Sequence, residues 1–582
     1  MEDRWIADWP PSKRWPHYTR SNAGEVMATP ASPLGQQFEW DNAIVLGMRD
    51  GFVRQGYFLP GEMAEKLPEP LGFFGGYLYI NLSNIRMQGV RSPVVTVEQL
   101  DLAFFGDHPD VPPYVADPRD DNPDLVPGIW QHIGWVMSAT SWPEIDDEKT
   151  EMKALRRNRP DLGAMTDDEL VGRARSLQPW LRRLFESHTV SSSSSGIAPG
   201  VLYAIGQAIG DATVPMKLLS GLGEVDSAEP SYALWELSRM IRGSEELTGA
   251  FDAGVDGLPE RLLLSGSADA KSFLAAFDDF LVEFGSRGPN EWEISADSWE
   301  TNPRLPLIML DRIRLQADAE SPRIRNAAKV TERLRVIEEV RAKIEPLGEE
   351  LSAQFEGALI AGNMQGFRER TKSTIVIAVN ELRVIFNELS RRHVAAGRID
   401  RPEYIFMLLD EEVEQFVASP AGWNAKLAAR FDMWRELFEL EPPYFIRDSI
   451  VPPISTWATR GSGADDTTVA VGDVLPGIAG CPGVITGKAC VILDPADPRD
   501  LGPGDILIAP QTDPGWTPLF MAVDGVVVNV GGQVSHAIIV SRELGLPCVV
   551  SVKDATSRIP DGAIIEVDGD NGKVTILEVP AA

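Results

Sequence analysis

The residues best placed to do chemistry lie in the stretch 525–547. An apolar run, Gly525-Val526-Val527-Val528-Asn529, is followed by Gly531-Gly532-Gln533-Val534-Ser535-His536 and then by Ala537-Ile538-Ile539-Val540-Ser541-Arg542-Glu543-Leu544-Gly545-Leu546-Pro547. The run reads as a buried strand. The glycine pair predicts a turn with positive φ whose backbone N–H groups stay open to a ligand. Ser535 predicts an N-cap, and 537–544 a helix ended by Gly545 and Pro547. His536 then falls in the first turn, where unpaired amides and the helix dipole favour an anion. A histidine there is largely neutral and nucleophilic near pH 7, so it is able to capture a phosphoryl group. The plain alternative is a half-buried histidine at a strand–helix turn.

A captured phosphoryl group needs an acceptor site. Phe367-Arg368-Glu369-Arg370-Thr371-Lys372 begins a long helical pattern that runs to Arg391-Arg392. Arg368 and Lys372, four apart, share a helix face, and Glu369 is three from Lys372. An Arg and a Lys so placed neutralise the equatorial oxygens during transfer, and a carboxylate takes the proton of an attacking hydroxyl. On spacing alone, the same pattern also describes a solvated, ion-paired helix surface. A second cluster is Phe284-Gly285-Ser286-Arg287-Gly288-Pro289-Asn290-Glu291-Trp292-Glu293. Arg287 suits a phosphate clamp, and Glu291 suits a metal ligand or a partner that orients Arg287. A buried Arg–Glu pair tying a loop to helices reads equally well. The other histidines (His17, His108, His132, His188 and His393) have no ligand spacing, and no chemistry is assigned to them.

The run 531–547 resembles the swivelling phosphohistidine domain of the phosphoenolpyruvate-utilising dikinase family. That pattern has a glycine pair, two residues, Ser or Cys, the phosphorylated His, and a run closing on Arg-Glu-Leu-Gly-Ile-Pro. Its frame is matched by Gly480-Cys481-Pro482-Gly483, Gly487-Lys488-Ala489, Gly504-Asp505-Ile506-Leu507, Thr512-Asp513-Pro514-Gly515-Trp516 and Val567-Asp568-Gly569. Val534, Ile538 and Ser541 depart from it mildly. The Arg368-Glu369-x-x-Lys372 turn and the Gly285–Glu293 cluster resemble the substrate-binding domain of rifampicin phosphotransferase-like enzymes, although Ser286 stands where those commonly carry His. The resemblance implies His536 as phosphoryl carrier, with Gly531, Gly532 and Ser535 as cofactor-binding positions. It also implies catalytic roles for Arg368, Glu369, Lys372, Arg287 and Glu291.

The arrangement looks most like the histidine-bearing subunit of two-component phenylphosphate or alkylphenol phosphate synthases, or like rifampicin phosphotransferase without its ATP-grasp domain. Neither the ATP-grasp domain nor the barrel that binds phosphoenolpyruvate or pyruvate is expected in this sequence. The implied cofactors are ATP, through a separate ATP-grasp subunit that cleaves it to AMP and phosphate, and Mg2+. The implied acceptor is a small, phenolic or alcoholic hydroxyl. Rifamycin-like antibiotics, keto acids in enol form, or a non-catalytic regulatory phospho-acceptor are the alternatives.

The elements that must position these groups follow from the rest of the chain. Its 582 residues exceed one ordinary core and imply several domains. A net charge of −32 argues against a nucleic-acid or anionic-membrane binder. The N-terminus lacks an apolar leader and no run reaches the length of a membrane span, so a cytoplasmic protein is expected. Cys481, Cys490 and Cys548 lack metal-ligand spacing and are expected to be buried apolar groups.

The fold class expected is multidomain: a mainly α-helical acceptor domain plus a C-terminal α/β swivelling domain. An irregular lead-in with short strands over 1–110 belongs to the helical acceptor domain of 111–453, a mobile linker covers 454–476, and the carrier domain covers 477–582. Strands are predicted at 489–493, 505–509, 525–529, 548–551, 563–567 and 573–577, with another across 76–83. A single long helix is predicted over 329–355, and the serine run 191–195 as a flexible connection. Gly483-Val484-Ile485-Thr486-Gly487-Lys488-Ala489 imitates a phosphate-binding loop but is one residue short and lacks the Ser or Thr that reaches magnesium. It is expected to be a turn between strands.

Overall fold

A computed structural model describes residues 3–105, 108, 110–211, 213–222, 226–460, 469–532 and 535–580. Residues 461–468 of the expected linker, and Gln533 and Val534, lie outside the described residues. The chain divides into two compact units. The first comprises Met1–Ile197, Asn290–Ala296 and Asn363–Gly463, and the second Ala198–Pro289, Asp297–Gly362 and Ala464–Ala582. Most of the chain is helical, with an α/β sheet at its C-terminal end.

Two long helices organise the first unit, α1 (Asp167–Ser194) and α2 (Asn363–Ala395). A capping box starts α1: the Thr166 hydroxyl accepts the Glu169 N–H, and the Glu169 carboxylate accepts the Thr166 N–H. The predicted flexible serine run is instead the last turn of this helix. Ser191 and Ser193 return their hydroxyls to carbonyls of Ser187 and Thr189 in the preceding turn, so the polar run satisfies itself in helical form. The expected strand near 76–83 forms as Tyr77–Asn81 within a four-stranded sheet. In α2 nearly every face after Phe367 is buried, which fits a helix in the middle of the unit's core.

A ten-residue π-helix, Gly35–Ile44, carries the fully buried Glu39. Burial first, and then the neighbouring Glu293, push the Glu39 carboxyl well above its ordinary 4.5, while Arg383 acts the other way. The folded unit therefore holds a proton that the unfolded chain releases. The stability this gives is full below the unfolded pKa and is lost as pH rises through the folded value. Denaturant midpoints of the native chain are expected to fall as pH rises above about 4.5. Glu39→Gln should flatten that fall; an unchanged slope in the variant would refute the assignment.

In the second unit eight strands form one sheet: β1 (Val474–Pro476), β2 (Ile478–Cys481), β3 (Val484–Val491), β4 (Asp505–Ala509), β5 (Gly525–Val528), β6 (Cys548–Val550), β7 (Ile564–Asp568) and β8 (Lys573–Glu578). Their order is β1-β8-β7-β3-β4-β5-β6-β2. The centre, β3 to β6, is parallel, and β4 to β6 are fully buried, largely apolar runs as expected for strands covered on both faces. One face shares a core with the helices Glu229–Arg242, Ala268–Phe284 and Arg304–Ile313, through Phe280 and Trp299 against Trp516, Phe520 and Ile538. The second core packs Ile506, Val527 and Val549 beneath Ala555 and Ile559.

The loop-like 483–489 segment is not a turn, because it forms most of β3. Gly487 is needed there since a Cβ would come within 2.5 Å of the Gly504 carbonyl. The helix predicted over 329–355 is two helices, Pro322–Ile344 and Glu349–Ala361, separated at Gly348 with φ 125°. The three cysteines are buried thiols without a disulfide, and burial pushes Cys548 up to about 12. Among the described residues no helix is long and apolar enough to cross a membrane.

Candidate functional site

In the second unit, helix α3 (His536–Leu544) follows β5 and begins on His536 itself. Gly545, with φ 70°, ends it in the left-handed conformation predicted from the sequence. Ser535 occupies the N-cap position in extended conformation, and its carbonyl accepts the Ile539 N–H. Its hydroxyl does not cap the helix, however; it is buried and has no hydrogen-bond partner among the described residues. Gly531 and Gly532 both have negative φ, contrary to the expected turn. Gly531 serves close packing instead: a Cβ would sit 3.0 Å from both the Ser535 hydroxyl and the Val550 side chain. A Cβ on Gly532 would meet nothing within 4 Å.

His536 is half-buried, and both ring nitrogens face threonine hydroxyls. Nδ1 lies 3.1 Å from Thr512 Oγ1, Nε2 lies 3.1 Å from Thr517 Oγ1, and the ring meets Phe520 edge-on at 6.1 Å. A hydroxyl serves as donor or acceptor, so either imidazole tautomer is accommodated and the ring plane is fixed in both. A nucleophile so held is aimed before its electrophile arrives. Thr512 was legible within the Thr-Asp-Pro-Gly-Trp motif. Thr517 was missed, and its position one residue past that motif was the only available signal.

The same loop explains the Gly285–Pro289 cluster. A Cβ on Gly515 would lie 2.5 Å from the Pro289 nitrogen and 2.8 Å from the Gly288 carbonyl carbon, so only glycine permits this contact between backbones. Arg287, buried, precedes those residues, and its own backbone is fixed by Phe284 and Trp299. The structure thus brings the Arg287 loop against the loop that holds His536, a proximity absent from the sequence reading.

In the first unit α2 carries Arg368 and Glu369 on one turn and Lys372 on the next, as the spacing predicts. Arg368 pairs with Glu369, and Lys372 Nζ lies 3.9 Å from Glu291 Oε1. Lys372 is thus one cationic neighbour of Glu291. Arg383 of the same helix donates to the Glu291 and Glu293 carbonyls at 3.0 Å each, which fixes the segment. Glu293 accepts Ser32 N–H and Oγ–H, a structural tie. Arg392, at the helix end, donates to the Leu162 and Met165 carbonyls and pairs with Glu388 and Asp167, so its task is anchoring.

His188 of α1, given no chemistry from the sequence, lies against this turn. Its Nδ1 is 3.0 Å from Thr371 Oγ1, its Nε2 is 3.3 Å from Ser192 Oγ, and its ring lies 6.0 Å from that of Trp292. Burial, then Arg368 and Lys372, hold its pKa well below 6.5, so the imidazole is neutral at pH 7. The available signal was helical spacing, since His188, Ser191 and Ser192 stand three and four apart.

No group of three Asp, Glu, His or Cys suited to a metal occurs among the described residues. Glu369 faces Arg368 and Glu291 faces Lys372. Mg2+ needs only one or two carboxylates when phosphate oxygens complete its shell, but here each carboxylate already faces a cation. The residues present do not fit a resident Mg2+.

Comparison with known proteins agrees with the geometry. Residues 188–369 match the family model described as the rifampicin phosphotransferase fourth domain, and 501–572 match the PEP-utilising enzyme mobile domain. An uncharacterised protein of Mycobacterium tuberculosis is 33% identical over 369 residues, covering 62% of this chain and 39% of its own length. A rifampicin phosphotransferase of Streptomyces sviceus is 28% identical across 95% of this chain and 61% of its own length. The prodigiosin synthesizing transferase PigC of Serratia marcescens is 32% identical over 52% of this chain and 33% of its own length. The chain thus spans between about a third and three-fifths of these relatives. Residues 501–572, which include His536, are thus similar to the mobile domain of PEP-utilising enzymes, and 188–369 ahead of them to the rifampicin phosphotransferase fourth domain.

Proposed function

We propose that this protein is a phosphotransferase in which His536 carries a phosphoryl group from an ATP-grasp module, supplied as a separate subunit, to the hydroxyl of a small acceptor. In the dikinase scheme that module cleaves ATP to AMP and phosphate and leaves the β-phosphoryl group on the imidazole. The acceptor oxygen then forms the new O–P bond as the P–N bond breaks, and the hydroxyl proton leaves to a nearby base. The Arg368–Lys372 turn is the acceptor-side group, balancing charge on the transferred oxygens, and Glu369 is the base.

One observation carries this reading. His536 opens a nine-residue helix with both nitrogens aimed by threonines, inside the segment that matches the mobile domain. Buried aromatic rings near the cationic turn (Trp292, Phe185 and Trp142 among them) favour a phenolic acceptor. The Streptomyces relative, similar across 95% of the chain, favours a rifamycin as the second acceptor class.

The test mixes the full chain with a separately expressed ATP-grasp module, ATP and either phenol or rifampicin, and follows 31P NMR. AMP, phosphate and a phosphorylated acceptor are expected in equal amounts. AMP formation with neither acceptor modified would contradict the acceptor assignment, and ADP as the product would contradict the dikinase scheme.

A further inference from the structure

The Arg368–Lys372 turn is held by a buried polar relay that runs into α1. Thr371 Oγ1 lies between three groups: the Arg368 carbonyl at 3.0 Å, Ser191 Oγ at 3.1 Å and His188 Nδ1 at 3.0 Å. Ser191 passes its hydroxyl to the carbonyls of Ser187 and His188 within α1. His188 completes the set, with Nε2 towards Ser192 and its ring against Phe185 and Trp292. Trp292 is the residue after Glu291, the carboxylate beside Lys372. The imidazole, carried on α1, therefore touches the turn of α2 that carries both cations and the segment that carries the carboxylate beside Lys372.

That placement has a physical consequence. Thr371 sits between Arg368 and Lys372 in sequence, so a fixed Thr371 side chain fixes the rotation of the helix face presenting both cations. In the buried interior an unmade hydrogen bond at Thr371 or Ser191 is expensive, so the relay favours a single arrangement. Phosphoryl transfer is sensitive to such placement, because a displacement of about 1 Å costs on the order of 10²-fold in rate.

We propose that His188 is a positioning residue of the acceptor site, acting through Thr371 to hold Arg368 and Lys372 as one oxyanion-binding face. The ligand class is a tetrahedral oxyanion, the group transferred in the reaction above, and the inference rests on that reading for its biological meaning. Its geometry stands apart from the carrier histidine, so the two are tested separately.

The experiment uses the full chain and inorganic phosphate as the probe, with binding measured by calorimetry. His188→Phe keeps an aromatic ring against Phe185 and Trp292 but removes both hydrogen bonds. His188→Asn places an amide where Nδ1 was and keeps the bond to Thr371. The Phe variant is expected to bind phosphate about tenfold or more weakly, while the Asn variant stays within about threefold of wild type. Thr371→Val should match the Phe variant, and the double variant should be no worse than either, because both remove the same contact. Circular dichroism and the thermal midpoint identify a variant that fails to fold, in which case Thr371→Val carries the comparison alone. Wild type that does not bind phosphate, a Phe variant that binds as wild type does, or Phe and Asn variants equally weakened would each overturn the proposal. Labelling of His536 from ATP, measured on the same samples, reports on the carrier role, and its failure leaves the phosphate result standing.

Discussion

Replacing His536 with alanine is expected to abolish acid-labile labelling of the chain by β-labelled ATP and an ATP-grasp module. The loss should be complete within detection, at least about a thousandfold, because no other histidine stands in the same setting. Removing a covalent nucleophile removes the pathway and not merely part of its rate. His17, His108, His132, His188 and His393 lie in the first unit among hydrogen-bonding or ion-pair partners of their own. The threonine variants should behave differently. Thr512→Val and Thr517→Val each leave one ring nitrogen without its hydroxyl, and labelling should slow by about tenfold, the scale of one neutral hydrogen bond. A His536→Ala protein that labels normally would exclude the carrier role outright.

The second large effect concerns delivery. Lys372→Ala should label on His536 as wild type does and pass the group to phenol or rifampicin about 10²–10³-fold more slowly, as expected when one preorganised charge at the transferred oxygens is removed. It also leaves Glu291, 1% exposed, without the ammonium 3.9 Å away. Some loss of stability, about 1–3 kcal/mol, should therefore accompany the kinetic defect. Lys372→Met keeps the length without the charge and separates the two effects. Equal delivery by wild type and the Met variant would show that the turn is an ordinary structural ion pair, the alternative its spacing always allowed. Chase experiments with pre-labelled protein measure this step without interference from loading.

The parts of the molecule that could be read from the sequence are those governed by local rules. Apolar runs bounded by Gly and Asp gave the parallel centre of the sheet, and Gly545 with Pro547 gave the end of α3. The edge strands β1 and β2 were missed, since Gly477 and Gly480 dilute the alternation on which strand recognition depends. The serine run is helical against its composition because Ser191, Ser193 and Ser195 return their hydroxyls to carbonyls three or four residues back, while Ser192 and Ser194 face side chains. Gly531 was recognised as necessary for the wrong reason, conformation where packing decides.

On α2 the proximity of Arg368 and Lys372 was legible because a spacing of four fixes a common helix face. The pairing of Lys372 with Glu291 joins positions far apart along the chain, and no local pattern reports it. For His188 the local spacing with Ser191 and Ser192 was visible, but its contact with Thr371 of α2 was not, since that too is tertiary. The approach of Gly515 to Gly288 and Pro289 is likewise tertiary; in sequence both segments read as ordinary turns.

The most direct measurement is the location and chemistry of the label on the intact protein. After brief exposure to β-labelled ATP and the ATP-grasp module, peptides should carry one phosphoryl group, lost in acid and retained in alkali, on the fragment containing His536. Label on any other residue, or an acid-stable phosphate on Ser535, Thr512 or Thr517 in place of the histidine, would contradict the account.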